Sequence, residues 1–191
     1  MTALRTTGVA LVLALGAAGC APITTGAHLE PGMDFSVYLT YDWEPPDNLP
    51  VGDPRLDNNP FFNDYLQGAI ERCLAAKGFE RAAGQPPDLL VHYHATVSQK
   101  LDVSRADSHQ GYCYANCEPQ YVEYEQGTLV LDIVDTRTRR VVWRGWAEQS
   151  LSGVIDDQDR LDHEVERAVE KLMQRLPSGG RAATSPATID R

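Results

Sequence analysis

From Asp88 to Val103 the chain alternates: Leu89, Val91, Tyr93, Ala95 and Val97 fall on one side, and His92, His94, Thr96 and Ser98 on the other. A period of two sustained over such a run fits a strand with one face in a core and the other toward water, and it excludes an amphipathic helix. Two further runs, Val122 to Asp135 and Val141 to Ser150, have the same character. The polar turn Thr136-Arg-Thr-Arg-Arg140 joins them into a hairpin. A shorter alternation over Phe35, Val37, Leu39, Tyr41 and Trp43 predicts another strand, stopped by Glu44-Pro-Pro46.

Helical spacing appears twice. Phe62, Leu66, Ala69, Cys73 and Ala76 follow Asn59 as N-cap and Pro60 at the first helical position, and Gly78 ends the run. Leu161, Val165, Ala168, Val169, Leu172 and Leu176 mark a second amphipathic helix. The Asp156, Asp157 and Asp159 cluster suits the positive end of its dipole. The order strand, helix, long strand, strand, strand, helix predicts an α+β fold: an antiparallel sheet of about four strands with two helices packed on one face.

The expected limits of that domain are residues 33–176. Before it, residues 1–19 read as a lipoprotein signal peptide, with Arg5 the only charge ahead of Glu30 and an apolar or small stretch from Gly8 to Gly19. That stretch is too short to remain as a membrane-spanning helix. Leu15-Gly-Ala-Ala-Gly-Cys20 resembles the lipobox of bacterial lipoproteins, which makes Cys20 the expected site of lipidation. It departs from the usual motif in carrying Ala17 three residues before the cysteine; the competing reading is an ordinary secretory signal. Ala21 after the cysteine, where Asp would favour inner-membrane retention, favours the outer membrane by the same resemblance. Residues 20–32 read as the lipidated N-terminus and a flexible tether, and residues 177–191 as a disordered tail. The formal charge of −10 becomes one unit more negative without Arg5, which argues against a nucleic-acid partner.

Several segments together carry a family likeness. Tyr41-Asp-Trp43 before prolines, Asp53-Pro-Arg55, Pro87-Asp-Leu-Leu-Val-His-Tyr-His94, Gly127-Thr-Leu-Val-Leu-Asp-Ile-Val-Asp135 and Val142-Trp-Arg-Gly-Trp146 resemble the bacterial lipoproteins that carry domain of unknown function 4136. The resemblance covers nearly the whole folded region and implies an envelope lipoprotein with an α+β domain. It supplies no catalytic residue, ligand or cofactor. Residues 104–120 match nothing in the family pattern.

Four cysteines are present. With Cys20 assigned to lipid, Cys113 and Cys117 are close enough in sequence to close a small disulfide loop in an oxidising compartment. Cys73, on the apolar stripe of the first helix, is expected to be buried and inert. The competing reading of the histidines is a zinc or copper site: His92 and His94 leave one strand face together, and His109, Cys113 and Cys117 follow. Against it, C-x₃-C is not the common knuckle spacing, and H-x-H on a polar strand face is often solvated.

Asp107-Ser-His109 holds the residue types of a catalytic triad in sequence but lacks a nucleophile elbow, so no enzyme is expected. Trp143 and Trp146, three apart on a strand, face opposite sides, one in the core and one shielding a sheet face. Arg137, Arg139, Arg140 and Arg144 form a basic cluster at the hairpin, read as a solvated tip. The expectation is therefore a non-enzymatic, lipid-anchored binding or structural module on the periplasmic face of the outer membrane, without a cofactor. It would touch the membrane through its lipid and bind an envelope protein or glycan; the alternative is a periplasmic metal-binding domain.

Overall fold

The structure, a computed structural model, describes residues 22–45, 52–102 and 122–180. Six strands form one mixed sheet: β1 (Thr24–Leu29), β2 (Thr40–Trp43), β3 (Glu80–Arg81), β4 (Leu89–Asp102), β5 (Val122–Asp135) and β6 (Arg140–Ser150). Their spatial order is β1-β6-β5-β4-β2-β3. The pairs from β1 through β6 and β5 to β4 are antiparallel, whereas β2 runs parallel to both β4 and β3. Three helices accompany them, α1 (Pro54–Asp57), α2 (Phe62–Ala76) and α3 (Gln158–Met173), and a 3-10 turn covers Phe35–Val37.

The expectation of a four-stranded antiparallel sheet with two helices is therefore corrected on four counts, the first being the edge strand β3, whose two exposed residues are too few to write a period. Thr24–Leu29, read as tether, is an edge strand paired residue for residue with β6 from Glu148 to Trp143. Its small polar residues give no apolar period, because an edge strand is held by backbone hydrogen bonds that composition does not announce. The early strand is also shorter than its alternation suggested: Phe35–Val37 is a 3-10 turn capped by Asp34, and only Thr40–Trp43 pairs. It pairs in parallel because α2 serves as a crossover. The third helix, α1, lies in the Pro/Asp/Asn-rich stretch. Asp53 caps it and Pro54 occupies its first turn.

The two long helices begin and end for local reasons. In α2 the Asn59 side chain accepts from Phe61 N at 3.0 Å, one turn ahead of the helix proper, which starts two residues beyond Pro60. Its C-terminus closes as a Schellman motif: Gly78 at φ 87° donates to Ala75 O, and Phe79 N donates to Leu74 O, both at 3.0 Å. Phe79 then plunges into the core at 1% exposure. The buried stripe of α2 runs Phe62, Leu66, Ala69, Ile70 and Leu74, so Cys73 sits at its margin and Ala76 is exposed. Asp157 caps α3 by accepting from Arg160 N at 3.2 Å, as the acidic cluster suggested. Past α3, Leu176 is buried and Gly179 and Gly180 donate to Lys77 O and Tyr38 O, so Pro177 to Gly180, read as tail, belong to the body.

Both long helices pack on one face of the sheet. Leu89 and Val91 of β4, Leu129, Leu131 and Ile133 of β5, and Trp143 and Ala147 of β6 form the core with Leu66, Ile70, Leu161, Val169 and Leu172. Gly145 is required there, since a Cβ would stand 2.3 Å from Cη2 of Trp143 and 2.6 Å from Cδ1 of Leu172.

Carboxylates, half-buried at Asp88 and buried at Asp135, fasten the loops to this core. Asp88 accepts from Leu39 N and Thr40 N, each at 2.9 Å, and so ties β4 to the start of β2. Asp135, 4% exposed, accepts from Tyr38 Oη at 2.8 Å and from Thr138 N at 2.7 Å, which pins the β5–β6 turn. Burial pushes both carboxyls up, but the hydrogen bonds outweigh it and hold them below the ordinary carboxylate range. Burial and the Asp135 contact push the Tyr38 phenol up to about 12. Asp53 is held low chiefly by its hydrogen bond from Arg55, whose guanidinium also reaches Glu125 and Asp156.

Two outcomes follow for stability. Gly145→Ala should lower it by about 1–3 kcal/mol through overpacking, read as a reduced urea midpoint at unchanged m. Because the folded carboxyls of Asp53, Asp88 and Asp135 lie below their unfolded values, their contribution is complete above the ordinary carboxylate range and is lost as pH falls below about 4. Urea titrations from pH 7 to 3 should show a plateau and then a decline, and Asp135→Asn should flatten part of that decline.

Candidate functional site

Opposite the helices no described element packs on the sheet, and none of its outward residues on β4, β5 and β6 from His92 to Ser98, Gln126 to Val134 and Arg144 to Ser150 is buried. Strand register lines these side chains into rows. His28 of β1 stands opposite Arg144 of β6, Arg144 opposite Asp132 of β5, and Asp132 opposite His92 of β4. The next row is Gly26, Trp146, Val130 and His94, and beyond it come Thr24, Glu148, Thr128 and Thr96.

The centre of this face is ordered by one ion pair. Arg144 grips Asp132 with both arms, Nε at 2.6 Å and Nη2 at 2.5 Å. Asp132 holds the Arg144 guanidinium above its ordinary value. A bidentate fork of this kind fixes the planar group in place, although its exposure keeps the energy small. Beside it, Trp146 lies across the β1 backbone: a Cβ on Gly26 would stand 2.0 Å from its Cζ2. The indole is thereby held in position while 37% of it stays open to solvent.

His92 and His94 share the uncovered face, as the alternation predicted. Among the described residues no group of three or more His, Cys, Asp or Glu could hold a metal ion. His109, Cys113 and Cys117, the other ligands of the metal reading and the cysteines of the expected disulfide, lie outside the described residues, as does Cys20.

The remaining singled-out residues are structural. Trp143 is 1% exposed and donates Nε1 to Arg175 O at 3.3 Å, so it is the inward member of the tryptophan pair and Trp146 the outward one. Trp43 is half-buried, donates to Glu71 at 2.8 Å and packs edge-on against Tyr41 and Tyr93. Cys73 is only half-buried, a correction to the expectation of full burial; that burial nevertheless pushes its thiol up. Arg140 pairs with Glu30 at 2.8 Å, and Arg139 turns the hairpin at φ 58°. Arg137 is exposed at that turn, so of the basic cluster only Arg144 reaches the open face.

Sequence reasoning passed over His28 and Asp132. Both lie in the correct phase, but only the register that aligns four strands brings them beside Arg144 and His92.

Solved structures with a similar chain path include the PelC dodecamer from Paraburkholderia phytofirmans, 11% identical, covering 82% of this chain and 99% of that one with a TM-score of 0.47. A DUF4136 family protein from Bacteroides thetaiotaomicron is 14% identical over 81% of this chain and 97% of its own, also at 0.47. A PDZ domain protein from Parabacteroides distasonis is 19% identical over 84% of this chain and 37% of its own, at 0.48. No curated relative matches the chain. The family model for the domain of unknown function DUF4136 matches residues 27–178, from the middle of β1 through β6 and all three helices, and the chain belongs to that family.

Proposed function

We propose that this chain is a lipoprotein of the outer membrane's periplasmic face, anchored through Cys20, and that it acts as a non-enzymatic binding module whose contact surface is the uncovered sheet face. The leader, the lipobox-like Leu15–Cys20 and Ala21 support the anchor. Among the described residues no helix is long and apolar enough to cross a membrane.

The anchor also constrains placement. Ile23 is 5% exposed and its carbonyl accepts from Lys171 Nζ. Cys20 lies three residues before it in sequence, a span of roughly 10 Å at full extension. The domain would therefore ride close to the bilayer, with edge strand β1 nearest the lipid.

The observation that carries the binding reading is Trp146. An indole pinned over Gly26, partly open, beside the fixed Arg144–Asp132 pair and between His28, His92 and His94, is an aromatic anchor within a rim of donors and acceptors. Envelope proteins and glycans both meet such surfaces, since the ring supplies apolar contact and the rim supplies direction. The metal reading has two histidines on the same face and no third ligand among the described residues, so it ranks second.

Crosslinked membranes and isolated cell-wall glycan offer the direct test. Trp146→Ala combined with Arg144→Ala should cut recovery of the protein or glycan partner at least tenfold, with unchanged palmitate labelling and a folded circular dichroism spectrum. Recovery that is irreproducible, or indifferent to both substitutions, would discard the reading.

A further inference from the structure

On the open face, at the end of the sheet remote from the β5–β6 turn, the strands stop at different lengths. β6 ends at Ser150, which pairs with Gln126, and β1 starts at Thr24, which pairs with Glu148. β4 and β5 run on together, from the Lys100 and Tyr124 pair to the Asp102 and Val122 pair. The step between the long strands and the short ones holds a half-open cleft of about 290 Å³. Tyr124 and Gln126 of β5, Glu148 and Ser150 of β6 and Thr24 of β1 line it, and all five share the outward phase of Arg144 and Trp146. Pro22 and Gln149 complete the wall.

The lining narrows what can enter. It sets hydroxyls, amides and one carboxylate beside the rings of Tyr124 and Pro22. Among the described residues the side chains of Thr24, Tyr124, Gln126 and Glu148 make no hydrogen bond or ion pair, so their donors and acceptors are available to a ligand. No cation lines the cleft beside Glu148; the one basic residue in these rows, Lys100, stands across β5 from it. An anionic ligand would therefore set like charges together. A wholly apolar one would leave the amide and the carboxylate unanswered, and a simple cation would engage Glu148 alone. A neutral, hydroxyl-rich ligand uses the whole wall. The volume lies just under the ~300–1,000 Å³ of pockets that bury drug-sized molecules, which is room for one sugar ring.

We propose that the cleft is a subsite for one neutral pyranose ring of a glycan: its C–H face lies against Tyr124 and Pro22, while neighbouring hydroxyls donate to the Glu148 carboxylate and accept from the Gln126 amide. The next ring of the same glycan reaches Trp146, one row away at roughly 7 Å along the strands. The proposal rests on the reading of this face as a contact surface and names glycan as its partner.

The test titrates sugars into the chain from Ala21 to Arg191, which holds every described element, with backbone amide NMR shifts as the readout. The probes are methyl β-glucoside and methyl β-galactoside, each beside the uronide that carries a carboxylate on the same ring, and the β-1,4-linked disaccharide of each. At least one neutral monosaccharide should give saturable shifts centred on Thr24, Tyr124, Gln126 and Glu148. It should bind about threefold or more tightly than its uronide, the discrimination that one like-charge contact near water confers. Gln126→Ala should weaken it about fivefold, as loss of one net hydrogen bond does, and Glu148→Gln should abolish the discrimination against the uronide. Trp146→Ala should leave the monosaccharide unaffected and remove the advantage of the matching disaccharide. No saturable shift with either neutral ring, shifts centred elsewhere, or equal affinity for the uronide overturns the proposal. Partner capture that depends on Trp146 and Arg144 can persist after such a failure, so the two readings fall separately.

Discussion

Two amphipathic helices can cover one face of a sheet and not both, and the organisation of this protein follows from that limit. Every inward position of β4, β5 and β6 must be apolar, small or hydrogen-bonded, whereas every outward position is free to be charged. Leu131, Ile133 and Val91, all at 0% exposure, obey the first rule. His92, Asp132 and Arg144, in register across three strands, show what the second allows. A sheet with one face left open by the described elements presents a broad, pre-formed surface without needing a cleft, and this is why the candidate site is a face.

The long strands were legible because half-burial writes a period of two into the sequence. Leu89 to Asp102 and Val122 to Asp135 pair over their full length, close to the limits that alternation implied. Where stabilisation comes from the backbone or from topology, the sequence is silent. Thr24–Leu29 joins the sheet through ladder bonds to β6, and its Gly26 matters for the space it leaves to Trp146. The direction of β2 follows from α2 serving as the crossover between it and the parallel strands β3 and β4, and no residue of β2 encodes that. In the candidate site, the histidines were readable from phase and the tryptophans as an opposed pair, but which tryptophan turns outward and which neighbours the other strands supply were not.

The segments that carried the family likeness resolve into joints of the fold. Asp53 caps α1 and seats Arg55, Asp88 holds the start of β2, and Asp135 locks Tyr38 and the hairpin turn. Trp43 braces α2 through Glu71, and Trp143 fills the core beneath the end of α3. A likeness built from such residues identifies a fold securely and says little about activity, because function resides in sites grafted onto the scaffold. Trp146 turns outward in those motifs together with Arg144, Asp132, His92 and His94, so within them scaffold and candidate site meet along the open face.

Which way Trp146 turns is decided by a single extra residue. Val134 pairs with Val141 and Ile133 with Trp143, so Val142 is a bulge in β6. Without it, Val142, already buried at 1% exposure, would stand opposite Ile133, and every later side chain of the strand would reverse. Trp143, Gly145, Ala147 and Gln149 would then point outward, and Arg144, Trp146 and Glu148 would be driven under the helices. An arginine and a glutamate there would lack partners, at a cost far above what the bulge forfeits in one unpaired ladder position. The bulge is thus the lowest-energy way for the Val142-Trp-Arg-Gly-Trp146 segment to meet both faces of the sheet. It places the Arg144 fork against Asp132 and the Trp143 indole in the core in the same step.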